Sequence, residues 1–238
     1  MEFFNSYKDE IRAKAYSKLE FQNTYYLAYR DLPGIIKKYV KGKNALDFGC
    51  GTGRSTRFLQ KLGFDAVGID ISRDMITIAR KLDPKGNYIL IENGDFTKLS
   101  NQFYDLILSA FSFDNIPMEK KVFLFSGLSN LLKKDGKIIN LVCSPEMYIY
   151  EWASFSTKDF PENKYAKSGD VVPIITTDFE DNRPCYDILC TDKDYRKIYN
   201  ESGLKIKKTY NPIAKGDEPY RWINETRISP WVIYLLEK

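Results

Sequence analysis

Residues 44–59 read NALDFGCGTGRSTRFL, and the fold turns on this stretch. A short apolar run, ALDF, leads into three glycines at alternate positions, Gly49, Gly51 and Gly53. A run of helical type follows, RSTRFLQKLG (54–63). Strand, glycine turn and helix make the first unit of an alternating α/β chain, and the glycines let backbone pass close to a bound molecule. The alternation continues downstream. DAVGID (65–70) reads as a strand and SRDMITIARKL (72–82) as a helix capped by Ser72. NYILIENGD (87–95) reads as a strand, and YDLILSAF (104–111) as a strand of the buried, parallel type. Residues 118–134 read as a helix ended by Asp135 and Gly136, and KIINLVC (137–143) as the next strand. Short connections throughout predict a mostly parallel sheet with helices on both faces.

After residue 143 the pattern breaks. Residues 144–170 contain Pro145, Pro161 and Gly169 and read as a long loop. DVVPIITTD and RPCYDILCT flank the turn FEDN and predict an inserted antiparallel hairpin. Loops this long inside a compact fold are usually functional. DKDYRKIYNESGL (192–204) restores a helix, stopped at Gly203. LKIKKTYN (204–211) and PWVIYLLEK (230–238) are terminal strands, and residues 212–229 between them suit an antiparallel return. At the other end, residues 6–30 read as a helix rich in aromatics (Tyr7, Tyr16, Phe21, Tyr25, Tyr26, Tyr29). Asp31 and Pro33 predict the start of a second helix, which stops at Gly42. The expected organisation is a single domain over 1–238. It divides into an N-terminal helical part (1–43), a binding half (44–143), an insertion (144–191) and a closing helix with two strands (192–238).

Composition narrows the chemistry. The chain has 238 residues, 43% hydrophobic, a net charge of +4 and no histidine. Every mechanism with a histidine base, relay or metal ligand is excluded. The four cysteines, Cys50, Cys143, Cys185 and Cys190, form no CxxC pair and no zinc spacing, so no metal site is expected. They read as reduced thiols, which predicts a cytoplasmic protein. The start, MEFFNSYKDEIRAK, lacks the pattern of a secretory signal, and no apolar run is long enough to cross a bilayer. Basic residues are spread along the chain, and the cluster Lys37, Lys38, Lys41, Lys43 is expected to face solvent. Nucleic acid is therefore not the expected substrate.

Three ligands compete for the glycine turn. A Walker loop needs GxxxxGK, but Phe48 stands at its first glycine and Arg54 at its lysine. A dinucleotide turn needs GxGxxG, and here the third glycine comes one residue early. Asp70, at the end of the second strand, suits a ribose diol in either reading. Asp47, two residues before Gly49, is awkward beside a pyrophosphate because like charges would meet. It is useful to a ligand carrying an ammonium, such as S-adenosylmethionine (SAM).

Four segments occur in order: ALDFGCGTG, VGIDIS (67–72), NGDF (93–96) and DLILSAFSF (105–113). With them the sequence resembles the class I SAM-dependent methyltransferases, over roughly 44–143 and again over the terminal strands. The resemblance implies a Rossmann-like α/β fold: a seven-stranded, mostly parallel sheet with an antiparallel last strand, an aromatic N-terminal helical lid, and a hairpin inserted before the last helix. It implies SAM as cofactor and S-adenosylhomocysteine as product. The implied cofactor contacts are Asp47 at the methionyl end, with Gly49, Cys50, Gly51 and Gly53 in the turn. Asp70 would hold the ribose, Ile71 would pack on the adenine, Asp95 and Phe96 would meet its amino group and ring, Met75 is a further contact, and Ser109 and Phe111 would lie beneath the methyl. Tyr25 and Arg30 would act from the lid, Arg30 on the cofactor carboxylate. Simpler readings stand beside these. The glycines form a tight turn, Asp70 caps a helix, Phe96 and Phe111 belong to the core, Cys50 is a small filler, and the N-terminal aromatics only pack their helix.

For the acceptor, the segment SAFSFDNIP lacks the Asn/Asp-Pro-Pro motif of nucleobase amino-methyltransferases. Pro184-Cys185 lies in the insertion, away from where a cysteine nucleophile belongs, and Asp114 with Asn115 reads as a helix cap rather than a metal site. What remains resembles the small-molecule branch, methylating N or O of a small acceptor. Tyr29, Trp152, Phe155, Arg183, Tyr186 and Trp222 are the candidate acceptor contacts, joined by Glu151 and Arg221. Flat aromatic walls suit an aromatic or heteroaromatic acceptor. The alternatives are an RNA or protein methyltransferase and an inactive SAM-binding partner subunit. The expected partners are the acceptor alone, with no membrane and no nucleic acid, in a monomer or homodimer.

Overall fold

A computed structural model describes residues 17–19, 21–92, 94–99, 103–178 and 181–238. The first part of the expected helix 6–30, with Tyr7 and Tyr16, lies outside the described residues, as does half of the FEDN turn, and among the described residues helix begins only at Thr24. The described chain begins with two short helices, α1 (Thr24–Arg30) and α2 (Leu32–Tyr39). Pro33 sits in the first turn of α2, where its missing N–H costs nothing. Asp31 makes no cap there; its carboxylate is taken by Arg30.

The alternating section follows: β1 (Asn44–Phe48), α3 (Arg54–Lys61), β2 (Asp65–Asp70), α4 (Arg73–Leu82) and β3 (Asn87–Leu90). Next come β4 (Tyr104–Ala110), α5 (Met118–Leu131) and β5 (Leu132–Cys143). Ser72 caps α4 as expected, accepting from Met75 N at 3.3 Å. Two boundaries differ from the sequence reading. β3 ends at Leu90 rather than at residue 95. The chain also enters β5 directly from α5, so Asp135 and Gly136 lie in a strand and stop no helix. The ladder between β4 and β5 slips just there, and a Cβ on Gly136 would come within 2.8 Å of the Tyr104 carbonyl. The glycine thus permits an irregular strand start.

The insertion is more ordered than a loop. Short turns at 145–148 and 161–165 flank β6 (Phe155–Ser156), which pairs with β7 (Val171–Thr176). β7 pairs in turn with β8 (Cys185–Ile188), making a small antiparallel sheet of three strands instead of a hairpin alone. The chain closes with α6 (Asp192–Glu201), β9 (Lys205–Tyr210) and β10 (Trp231–Glu237).

The main sheet has seven strands in the order β3-β2-β1-β4-β5-β10-β9. β1 to β5 are parallel, and β10 runs antiparallel to both neighbours. Strand alternation divides the core. Leu106 and Leu108 of β4, with Ile233 and Leu235 of β10, face α1, α2 and α3. Ile107, Val232 and Tyr234 face α5 and α6. Strand order reverses between β1 and β4, so a crevice opens beyond their carboxyl ends, the usual ligand position in open α/β sheets.

None of the four cysteines is in a disulfide. Among the described residues no helix is long and apolar enough to cross a membrane, and no cluster of three ligating side chains could hold a metal ion. Lys37, Lys38, Lys41 and Lys43 are exposed, as their spacing predicted.

Candidate functional site

The glycine turn joins β1 to α3 with three residues in the left-handed region: Gly49 at φ 70°, Gly51 at 53° and Gly53 at 84°. A Cβ on Gly49 would lie 2.1 Å from Ser112 Oγ, so only glycine lets β1 and the chain after β4 approach this closely. The N–H groups of Gly49 and Cys50 both donate to the Ile69 carbonyl at 2.9 Å, which ties the turn to β2. Gly51 N donates to Asp70 Oδ2 and Ser72 N to Asp70 Oδ1, each at 2.8 Å. Burial pushes the Asp70 carboxyl above the usual range, and these backbone donors pull it back.

Asp47 is fully buried behind the turn. Its Oδ2 accepts from Ser55 Oγ at 2.7 Å and Thr56 Oγ1 at 2.6 Å, which pins the first turn of α3 to β1. Its Oδ1 has no partner. Burial raises its pKa to about 6, against the opposing effect of the two hydroxyls.

Above the turn lies a cleft with about 1110 Å³ of open space. One side is formed by Gly49 to Thr52, Asp70, Ile71 and Met75, and the other by Ala110, Phe111, Ser112, Asn115 and Lys120. Tyr29 and Arg54 also line it. Phe111 has φ 64°, a conformation that costs a non-glycine residue about 1–2 kcal/mol. Its surroundings hold it there. Its N–H donates to the Leu141 carbonyl at 2.8 Å, and its ring packs 4.7 Å from Trp231 and 5.8 Å from Tyr25. The guanidinium of Arg54, only 7% exposed as a residue, lies 4.7 Å from the Tyr25 ring and 5.7 Å from the Tyr29 ring. Such a cage stabilises a buried cation.

Of the expected cofactor contacts, Gly49, Cys50, Gly51, Asp70, Ile71, Met75 and Phe111 line the cleft, and Tyr29 joins them. Others stand behind it. Gly53 opens α3 and faces Tyr88, whose Oη would be 2.6 Å from an added Cβ. Asp47 reaches the cleft through Ser55, and Tyr25 through Phe111. Ser109 is fully buried on β4, its hydroxyl unpartnered.

Several expectations are corrected. Arg30 does not reach the cleft, because its guanidinium is spent on Asp31, Glu218 and the Ile213 carbonyl. Asp95 accepts from Thr97 N at 2.9 Å, and its neighbour Gly94 lines the cleft in its place. Phe96 lies against Gly127 of α5, where an added Cβ would come within 2.4 Å of its ring. Trp152 is a core residue, 2% exposed, with Nε1 donating to the Met147 carbonyl at 2.9 Å. Phe155 packs between Tyr25 and Trp231, one layer behind the wall. Arg183 pairs with Asp181, Tyr186 is exposed on β8, and Trp222 donates to Glu218. Asp114 caps no helix; it is buried and accepts from Cys143 N, while Asn115 enters the cleft.

Sequence reasoning missed Arg54, Ser112, Asn115 and Lys120. Arg54 directly follows the last glycine, and position alone would have flagged it. Ser112 and Asn115 lie on the turn after β4 and Lys120 on the first turn of α5, whose aim depends on tertiary packing.

Residues 45–136 match a family model described as a methyltransferase domain. The chain is 29% identical over 170 residues to a probable S-adenosylmethionine-dependent methyltransferase, CRG1, of Saccharomyces cerevisiae, covering 65% of this chain and 54% of the yeast protein. In structure it is similar to an S-adenosylmethionine-dependent methyltransferase from Clostridium acetobutylicum, at 16% identity and TM-score 0.62, covering 97% of this chain and 95% of that one. It is also similar to the CcbJ methyltransferase from Streptomyces caelestis, at 14% identity and TM-score 0.68, covering 98% and 97%. At such identities the structural likeness speaks for the fold. The chain spans about half the length of the curated relatives it matches.

Proposed function

We propose that this chain, whose residues 45–136 match a methyltransferase-domain model, is a class I SAM-dependent methyltransferase that transfers a methyl group to nitrogen or oxygen of a small acceptor, of aromatic or heteroaromatic type. The observation that carries the reading is one cleft joining the glycine turn and Asp70 to the aromatic wall around Phe111. The cofactor fits the residues present. Asp70 faces the cleft with lone pairs to spare beyond its two backbone donors, and the turn is free of side chains at its closest approach. Bound there, SAM supplies an electrophilic methyl carried on a sulfonium.

The chain's own groups bind and orient. Asp70 would hold the ribose hydroxyls, and the backbone of Gly49 to Gly51 would leave room for the nucleoside. Arg54 places positive charge at the aromatic end of the cleft, where a carboxylate is to be held, the task expected of Arg30. Tyr29 and Phe111 exclude water from the transfer site. Alignment and desolvation can supply most of such a barrier reduction, which agrees with a chain that has no histidine. An amine arriving neutral, or an oxygen arriving as its anion, then needs no protein base.

Calorimetry with SAM and S-adenosylhomocysteine, followed by transfer of labelled methyl to a low-mass cell extract, tests the proposal. Label entering RNA or protein instead overturns the small-acceptor assignment. Tight binding with no transfer to any fraction points to an inactive partner subunit, and no binding at micromolar concentration removes the whole reading.

A further inference from the structure

Next to the cleft the protein buries a set of charges that binding does not use. Asp114 is 4% exposed, Lys121 0% and Asp187 7%. They come from three places: the 113–115 turn after β4, the first turns of α5, and β8 of the inserted sheet. Both oxygens of Asp114 accept from the N–H of Cys143, the last residue of β5, at 3.2 Å. Lys121 Nζ donates to the Phe113 carbonyl. Asp187 Oδ2 accepts from the Tyr148 hydroxyl at 3.0 Å. β8 packs directly on the 113–115 turn. That turn sends Asn115 into the cleft, with Ser112 just before it. The inserted sheet therefore touches the cleft wall through this cluster.

Charge balance sets its behaviour. One cation and two carboxylates, all ionised, would leave a net negative charge sealed from water, which is strongly unfavourable. Burial first, and then the Asp187 carboxylate, raises Asp114 to about 8; burial alone raises Asp187 to about 6, and burial lowers Lys121. The groups facing them from β5, the 145–148 turn, the segment after β8, and α6 are Cys143, Tyr148, Cys190, Tyr195 and Tyr199. Burial pushes all five up, so they stay neutral here. One carboxyl proton stays in the cluster at neutral pH.

We propose that Asp114, Lys121 and Asp187 are positioning residues forming a one-proton latch, which fastens the β6–β8 sheet to the cleft wall and slackens as the proton is lost. A carboxyl whose pKa rises on closing favours the closed form while protonated. That contribution is complete below the ordinary aspartate range and is gone once pH passes the closed-state value. For Asp114 the loss runs up to about pH 8 and then levels off.

Hydrogen exchange on the intact protein tests this without any acceptor or cofactor, so its outcome is independent of the proposed methyl transfer. Protection of amides in β7, β8 and residues 111–117 should fall about tenfold per pH unit from pH 6 to 8, beyond the intrinsic rate change, and flatten near 9. Amides of β1 and β2 should not follow. Asp114→Asn keeps an oxygen for the Cys143 N–H but cannot ionise, and should be flat from pH 6 to 8. Should that variant not fold, Asp187→Asn removes the second carboxylate beside Asp114 and should move the fall to lower pH. A flat wild-type profile, or an unchanged fall in whichever variant folds, overturns the latch.

Discussion

Replacing Asp70 by alanine separates a ribose-binding carboxylate from a mere helix cap. In the structure this side chain accepts two backbone N–H groups, from Gly51 and Ser72, at 2.8 Å each. Losing it leaves both donors short of an acceptor, which costs about 1–3 kcal/mol per buried group. Removing a carboxylate that burial already disfavours offsets part of that cost. A net loss of about 1–2 kcal/mol in unfolding free energy follows, well short of unfolding the protein. Binding should suffer more. A hydrogen bond to a charged acceptor is worth about 1.5–3 kcal/mol, and two ribose hydroxyls lose theirs together. Allowing for non-additivity, a deficit of about 3 kcal/mol weakens S-adenosylhomocysteine about 150-fold. Calorimetry with S-adenosylhomocysteine, adenosine and adenine on a variant that melts cooperatively reads this directly. The first two should weaken alike, while adenine should change by less than about threefold. Equal loss for all three ligands would mean that the turn has collapsed. An unchanged affinity for S-adenosylhomocysteine would refute the ribose role outright.

Three further outcomes follow from the geometry. Gly49→Ala combines a left-handed φ with a Cβ 2.1 Å from Ser112 Oγ, so it should weaken S-adenosylhomocysteine at least about tenfold; adding Ser112→Gly should restore part of the loss by calorimetry. Arg30→Ala should leave cofactor affinity within about threefold. It should lower stability by under about 1 kcal/mol in a urea melt, since its partners are Asp31 and Glu218. Trp152→Ala should cost about 3–5 kcal/mol of stability in the same melt, as expected of a core residue; a stable variant with altered acceptor KM would return Trp152 to the acceptor wall.

The glycine-turn side of the cleft was legible because its residues are fixed by short-range geometry. Strand, glycine turn and helix place Gly49, Gly51 and Asp70 within one βαβ unit, and the order β3-β2-β1-β4 follows from parallel crossovers. The roles of long side chains were not, whether for the cofactor (Arg30, Phe96) or for the acceptor (Trp152), because distant partners aim those side chains. Arg30 is claimed by Glu218, far along the chain, and Trp152 by a turn inside the insertion. Phe96 gave no sign that Gly127 would leave a hollow for its ring.

Lys121 carries the point further. Within MEKKVFLFSG it is the second of two adjacent lysines. Yet Leu124, Phe125 and Leu128 form the buried stripe of α5, and residue 121 lies on that stripe by helical spacing. A pattern-only reading would expect an apolar residue there, and a charge in that place asks for buried partners. The Lys121 ammonium donates to the Phe113 carbonyl and lies over the Tyr195 ring, while Asp114 on the cleft wall and Asp187 on the insertion act on it by charge. A leucine at residue 121 would pack as well, but it would carry no charge to offset two buried carboxylates. Retaining the lysine makes sense if the contact between the inserted sheet and the cleft is meant to be adjustable, which a purely apolar seam would not be.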